Sequence, residues 1–409
     1  MRKILSGRRS SSKGPFEIKV QVSGANTFQL PLPSATPTGG GTLGFVVEWG
    51  DGTSDDINAS NYNGAVATHT YSSSGIKTIK ITGAIRGWSF GSFSTEAVKL
   101  GEINNWGDFR FTENETFEGC QNLTQIDATD TPRFDGSSMR FTFNNCTKLN
   151  RINNIKNWNV QPIKDFNGFF RQCGIKSGAI VGGNADLSLW DVEDATNFAF
   201  MFDGAIFWNG HMFRVNTSAQ SNVDMRAMFQ KAVLFNNDGF TDMNNWDTSG
   251  VDGMAFMFSS AEVFDSPIGT WDVSGVTTMN NMFAGNNANP MAFNQSIGSW
   301  DVTAVTDMSN IMTRCNSFDQ DLSGWKLTGI NFFNNVGPII TQAIGSFGLS
   351  TANYDALLVG WDAYSYPSMP AGSTFNFGSS QYSAAPSAAA TAHASLITKW
   401  GGIIDGGPI

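Results

Sequence analysis

Charge and histidine are what this chain has least of. Only 15% of its 409 residues are Asp, Glu, Lys or Arg, and three histidines are too few to make a convincing metal site. Four cysteines in so long a chain do not form a disulfide-dense scaffold. No apolar run approaches the roughly 20 residues that a membrane-spanning helix needs, so membrane insertion is not expected. A basic excess is missing too. The net charge of −10 argues against nucleic acid as the main partner. What is plentiful is Gly (44), Phe (33) and Trp (12). Aromatics on that scale argue against disorder, and glycine with much Asn and Ser suits tight corners.

The few charges are unevenly placed. Residues 1–13 hold Arg2, Lys3, Arg8, Arg9 and Lys13 with no acid, leaving 20 basic against 35 acidic groups in the remainder. This basic tail reads either as a disordered terminus or as a docking peptide for a partner. Ile4-Leu5 is too short for the apolar core of a signal peptide, and Arg8-Arg9 lacks the apolar stretch of a twin-arginine signal. The expectation is a protein that reaches its site without ordinary secretion, or that cell lysis releases.

Between Trp106 and Phe333 one motif recurs: an aromatic anchor, a short apolar run, then a Phe or a Met-Phe pair. Clear copies are Trp246-Asp-Thr-Ser-Gly-Val-Asp-Gly-Met-Ala-Phe-Met-Phe258 and Trp271-Asp-Val-Ser-Gly-Val-Thr-Thr-Met-Asn-Asn-Met-Phe283. A period of 25 to 32 residues predicts a solenoid, whose units bury their apolar faces only against neighbours. Trp158, Trp190, Trp246 and Trp271 each precede the next aromatic or Met-Phe pair by 11 residues, whereas the return to the next Trp takes 14 to 21. The constant part has its length set by stacking, and the variable part crosses a free surface. A strand at Trp-Asp-Val followed by a helical turn is expected in the constant part. Three polar crossings, Lys176–Asn184, Asn216–Asn222 and Asn286–Pro290 with its Asn287, are either solvated loops or places for recognition.

Register also assigns the cysteines. Cys120, Cys146 and Cys173 each follow a Phe by three residues, Cys315 takes the same place after Met312, and Ala205, Ala232 and Ala261 occupy it elsewhere. A site that alternates between Ala and Cys wants a small buried side chain, so reduced packed thiols are expected. The cluster Phe207-Trp208-Asn-Gly-His211-Met-Phe213 looks like a binding patch. Yet Trp208-Asn209 falls in register with Phe235-Asn236, Phe264-Asp265 and Phe293-Asn294, and Phe213 with Phe240, which leaves His211 as the exposed member.

Residues 15–84 read as strands. Phe16–Val22 and Ile76–Ile81 alternate at period two, with Phe45-Val-Val-Glu-Trp-Gly-Asp-Gly-Thr53 and His69-Thr-Tyr71 between them. The Trp-Gly-Asp-Gly turn and the His-Thr-Tyr strand start resemble the polycystic kidney disease (PKD) domain, an immunoglobulin-type β-sandwich. That resemblance implies a spacer or adhesion module. The Phe-x-x-Cys-x-x-Leu units at Phe117–Leu123 and Phe143–Leu149, with the later Trp-Asp-Val and Met-Phe units, resemble BspA-like leucine-rich repeat surface proteins, including the mycoplasma lipoprotein variant. Leu349–Trp361 and Ile404-Asp-Gly-Gly407 resemble the closing module of many such proteins, with helices near 350–360 and 386–400. The combination also recurs among proteins of tailed phages.

Catalytic patterns are weak. Gly87-Trp-Ser-Phe-Gly91 fits a nucleophile elbow by letter but lacks a following helix signal. Gly39-Gly-Gly-Thr-Leu-Gly44 precedes a strand and does not open a helix, so it reads as a loop. Asp51, Asp55 and Asp56 around the Gly-Asp-Gly turn are calcium candidates, with an Asx turn as the competing explanation of Asp51.

The expected architecture is mainly β with short helices. It comprises a basic tail (1–14), a PKD-type immunoglobulin-like sandwich (15–84), a leucine-rich-repeat-like solenoid (85–345) and a small α/β cap (346–409). The expected role is a non-enzymatic, surface-exposed interaction protein without a cofactor, foremost a phage virion component of receptor-binding, fibre or decoration type. Its partners would be virion or cell-surface proteins, or a host glycan or receptor, and a homo-oligomer is compatible. A bacterial cell-surface adhesin is the alternative, and a carbohydrate-active enzyme on a solenoid a remote one. The interaction candidates are Arg2, Lys3, Arg8, Arg9, Lys13, Lys176, Asn184, His211, Asn216, Asn222, Asn286 and Asn287.

Overall fold

The computed structural model describes residues 13–24, 26–32, 44–58, 67–175, 186–286, 289–329, 348–364 and 375–409. Those residues are mainly β, with few and short helices. The first strands are β1 (Phe16–Val22), β2 (Thr27–Gln29), β3 (Gly44–Glu48), β4 (Ser54–Asn58), β5 (Thr68–Thr70) and β6 (Gly75–Ala84). After a four-residue helix, α1 (Ser94–Ala97), come the short strands β7 (Leu100–Asn105), β8 (Arg110–Phe111), β9 (Gln125–Ile126), β10 (Arg133–Phe134) and β11 (Arg151–Ile152).

Period-two alternation makes β1 the centre of the first sheet, with Phe16, Ile18, Val20 and Val22 all buried. It pairs antiparallel with β6 on one edge, Phe16 opposite Ile81, and antiparallel with β7 on the other, Ile18 opposite Ile103. From β7 the sheet continues in parallel through β9 to β11, giving the order β11-β9-β7-β1-β6-β3-β4. One sheet therefore runs across position 84/85. The strand edge that a separate N-terminal unit would leave open carries the first repeat strand.

Beyond Ser138 the repeats stack through their backbones. Single parallel bridges run Ser138–Asp165–Asn197–Asp224 and, through β12 (Val223–Asp224) and β13 (Val251–Gly253), on to Thr278 and Asp307. After each bridge, alternate N–H groups donate to the next unit. Met279, Asn281, Phe283 and Gly285 reach the carbonyls of Asp307, Ser309, Ile311 and Thr313, and the same four-bond pattern joins Phe166 through Gln172 to Asn197 through Asp203. The strand expected at Trp-Asp-Val is not there. The bridge sits five residues further on, at Thr278, and Asp272 instead closes an Asx turn by accepting from the Ser274 N–H and hydroxyl. Two tight turns follow each bridge, such as Met279–Met282, closed by the Met282 N–H on the Met279 carbonyl.

The interior consists of ring columns. Phe202, Phe229, Phe258 and Phe283 stack at 5.4 to 5.8 Å between centroids and within 5° of parallel. A second column holds Trp190, Phe213, Trp246 and Trp271. Phe213 thus fills the tryptophan place of a unit that has no Trp, rather than matching Phe240. Buried Trp indoles also tie units together, Trp271 Nε1 donating to the Met243 carbonyl and Trp300 Nε1 to that of Ile268. Trp208 is fully buried against Phe202 at 4.5 Å, and its predicted register holds. Asn209 Oδ1 accepts from the Asn236 N–H, Asn236 Oδ1 from Asp265, Asp265 Oδ1 from Asn294, and Asn294 Oδ1 from Asp319.

Two helices close the far end, α2 (Thr351–Asp362) and α3 (Ala388–Trp400), with the small parallel pair β14 (Phe375–Asn376) and β15 (Ile403–Ile404). Ser350 caps α2, and its N–H donates to Asp319 Oδ1, adding one more rung to the Asn/Asp ladder. Trp361 donates to the Leu322 carbonyl as the repeat tryptophans do to theirs. For α3 the cap is Ser387, accepting from the Ala390 N–H, so Pro386 precedes the helix and does not open it.

Candidate functional site

The Trp-Gly-Asp-Gly and His-Thr-Tyr segments meet in space. Trp49 stacks on His69 at 4.8 Å, Tyr71 packs edge-on to His69, and the Tyr71 hydroxyl donates to the Trp49 carbonyl. Asp51 Oδ1 accepts from the Thr53 N–H and hydroxyl, and Asp51 Oδ2 lies 2.8 Å from His69 Nε2. The Thr53 hydroxyl and then His69 hold the Asp51 carboxyl well below the usual range. Asp55 accepts from Trp49 Nε1, and Asp56 lies in β4 with a partner of its own. Among the described residues no group of three His, Cys, Asp or Glu is placed to hold a metal ion.

Of the interaction candidates, Arg2, Lys3, Arg8, Arg9, Lys176, Asn184 and Asn287 lie outside the described residues, as does most of the Gly39–Gly44 stretch. Lys13 donates to the Thr131 carbonyl. His211 is tightly held: Nε2 is 2.6 Å from Asp242 Oδ2, Nδ1 is 4.0 Å from Asp186 Oδ1, and the ring lies on Phe240 at 3.8 Å. Phe240 is 46% exposed, the surface aromatic of this pair. Asn216 bridges to Asp247 and donates to Glu193, and the buried Thr217 donates its hydroxyl to the Asp247 carbonyl. This crossing therefore belongs to the stack, in the place of Asp247-Thr-Ser of the next unit. Asn222 is exposed in a left-handed turn, and Asn286 with Asn289 is pinned on Glu262. Beside His211, a cleft of about 670 Å³ is lined by Arg214, Asp242, Asn244, Trp246, Asp247 and Thr270.

A second cleft, which sequence reasoning missed, lies over the paired turns. The third residue of the first turn has a left-handed backbone in successive units: Phe141, Gly168, Phe200, Ala227, Phe256, Asn281 and Asn310. Such a backbone costs an L-residue roughly 1–2 kcal/mol, and bulky side chains are unusual there. Phe200 (φ 58°) and Phe256 (φ 59°) are nonetheless placed there and are only half-buried, whereas their neighbours Phe202 and Phe258 join the core column. Phe200 and Phe256 both line a cleft of about 490 Å³. Ala227 and Ala255 line it with the polar residues Arg226, Gln230, Thr278 and Asn280. The guanidinium of Arg171, anchored on Asp203, lies 5.9 Å from the Phe200 ring centroid. The signal was available: Phe at a register position shared with Gly, Ala and Asn.

The serine of Gly87–Gly91 donates to the Glu115 carbonyl between the buried Trp88 and Phe90. All four cysteines are free and buried. Burial pushes their thiols up, Cys173 to about 12, and the Cys146 thiol donates to the Phe117 carbonyl. No described helix is long and apolar enough to cross a membrane.

Residues 111–243 and 237–337 match the model of a family described as Mycoplasma protein of unknown function, DUF285. The chain belongs to that family. The match covers more than half of the 409 residues, is consistent with the BspA-like mycoplasma type of surface repeat, and falls on the stacked units. No curated protein and no solved structure matches the chain.

Proposed function

We propose that this DUF285 member is a non-enzymatic display protein whose stacked units form a leucine-rich-repeat-like solenoid, carried on a PKD-type immunoglobulin-like module. The observation that carries this reading is how the repeats use their groups. Backbone N–H groups, rings and amide side chains are spent on neighbouring units, and what remains is a long lateral surface with clefts. The joined Trp49–His69–Tyr71 cluster supports the PKD-type module. We place the protein on a phage particle as a receptor-binding, fibre or decoration component, with the basic residues Arg2 to Arg9 docking to the particle by charge. A bacterial cell-surface adhesin is the second reading, favoured by the family's description.

Mass spectrometry of gradient-purified particles, beside antibody labelling of intact cells, separates the two. The virion reading expects the chain in particles at a fixed ratio to capsid or tail proteins. Its absence from particles, together with labelled cells, overturns that reading in favour of the adhesin. A chain lacking residues 1–13 is expected to fold normally and to be missing from particles.

A further inference from the structure

We infer that the cleft lined by Phe200 and Phe256 binds a neutral oligosaccharide chain. This deepens the display reading and rests on it, because a displayed face needs a ligand.

The turn itself does not call for phenylalanine, since Gly168, Ala227, Asn281 and Asn310 serve the same position in other units and, among the described residues, only Phe141 repeats it outside the cleft. Placing Phe there goes against backbone preference, and both residues stay only partly buried, outside the core columns. Phe200 and Phe256 are two units apart, with the small Ala227 between them, and each unit step is 5.4 to 5.5 Å in the adjoining ring column. Two phenylalanines and two alanines thus line one cleft.

The polar lining fixes the ligand class. Gln230, Thr278 and Asn280 offer amide and hydroxyl groups that both donate and accept, which suits a polyhydroxylated ring with apolar faces. Arg226, which lines the cleft, and Arg171, which lies on the Phe200 ring, are already matched. Arg226 binds both oxygens of Asp224 at 2.6 to 3.0 Å, and Arg171 binds Asp203 at 2.9 Å. An anionic ligand would have to compete with those carboxylates. A strand-forming peptide is disfavoured too, because the N–H groups of Met225, Ala227 and Phe256 already donate to Gly253, Ala255 and Asn280.

The test is calorimetric titration of the full chain with cellohexaose, maltohexaose and laminarihexaose separately, and with a proline-rich decapeptide. At least one hexaose should bind with Kd below about 1 mM. Phe200→Gly and Phe256→Gly should each weaken it about tenfold or more without unfolding the protein, because glycine suits the left-handed turn. Asn280→Ala, which leaves both turns untouched, should also weaken binding, and Phe256→Tyr should keep it. The inference is overturned if no hexaose binds, if the double glycine variant binds as well as the parent, or if only the decapeptide binds. Particle composition is measured separately, so failure here leaves the display reading standing, and failure there leaves the cleft's chemistry standing.

Discussion

At the scale of single residues, identity and environment are tightly matched. The Ala/Cys alternation seen in sequence corresponds to buried, free thiols, and their raised pKa follows from the absence of solvent. Asp51 shows the opposite effect. Hydrogen bonds from Thr53 and contact with His69 favour its charged form, so its folded pKa is below its unfolded one. A depressed carboxyl stabilises the fold above its unfolded pKa, and that contribution is lost as pH falls through the acid range. Thermal melts between about pH 6 and about pH 2 should therefore show a steep loss of Tm below about pH 4 in the parent. In Asp51→Asn that loss should be shallower, from a lower starting Tm. Superimposable profiles would mean that Asp51 does not contribute.

At the scale of the element, the repeat unit is a bridge, two tight turns and an Asx turn rather than a strand and a helix. Regular hydrophobic spacing located the unit, because ring and methionine columns must coincide to bury one another. It could not identify the local conformation. Three-residue spacing of Val276, Met279 and Met282 looks helical, yet the chain meets the same spacing with successive turns that send alternate N–H groups to the next unit. The Asn/Asp ladder carries similar weight. Asn236 Oδ1 receives the Asp265 N–H and the Ser266 hydroxyl; Asn236→Ala leaves the Asp265 N–H unmatched, while the Ser266 hydroxyl keeps the backbone carbonyl of residue 236. That substitution should cost about 1–3 kcal/mol in denaturant unfolding. Asn244→Ala, whose acceptor meets an exposed turn N–H, should cost less. Equal costs would argue against the ladder as a distinct stabilising feature.

At the scale of the molecule, both ends of the stack are closed by elements that continue its own bonding. β1 pairs with the first repeat strand, and α2 supplies Ser350 to the Asn/Asp ladder and Trp361 to the indole contacts. An uncapped stack would present apolar faces and unpaired backbone to other chains. Trp361→Ala should lower stability by about 3–5 kcal/mol and promote concentration-dependent association, read by light scattering alongside melting. A monodisperse variant with unchanged Tm would show that the helix does not seal the end.

The sequence by itself determined the repeat and the fate of the cysteines and of Trp208, since each follows from which side chains must be apolar or small at a fixed period. The closing helices were legible from the Ser350 cap and the resemblance of Leu349–Trp361 to a closing module. Tertiary structure decided the rest. A sheet that crosses the expected boundary at residue 84 depends on which strand edges meet. The place of Phe213 in the tryptophan column depends on how the chain shifts by two residues in a unit lacking Trp. The cleft lined by Phe200 and Phe256 depends on backbone handedness, and a hydrophobic pattern records which residues are apolar but not which way a turn faces them.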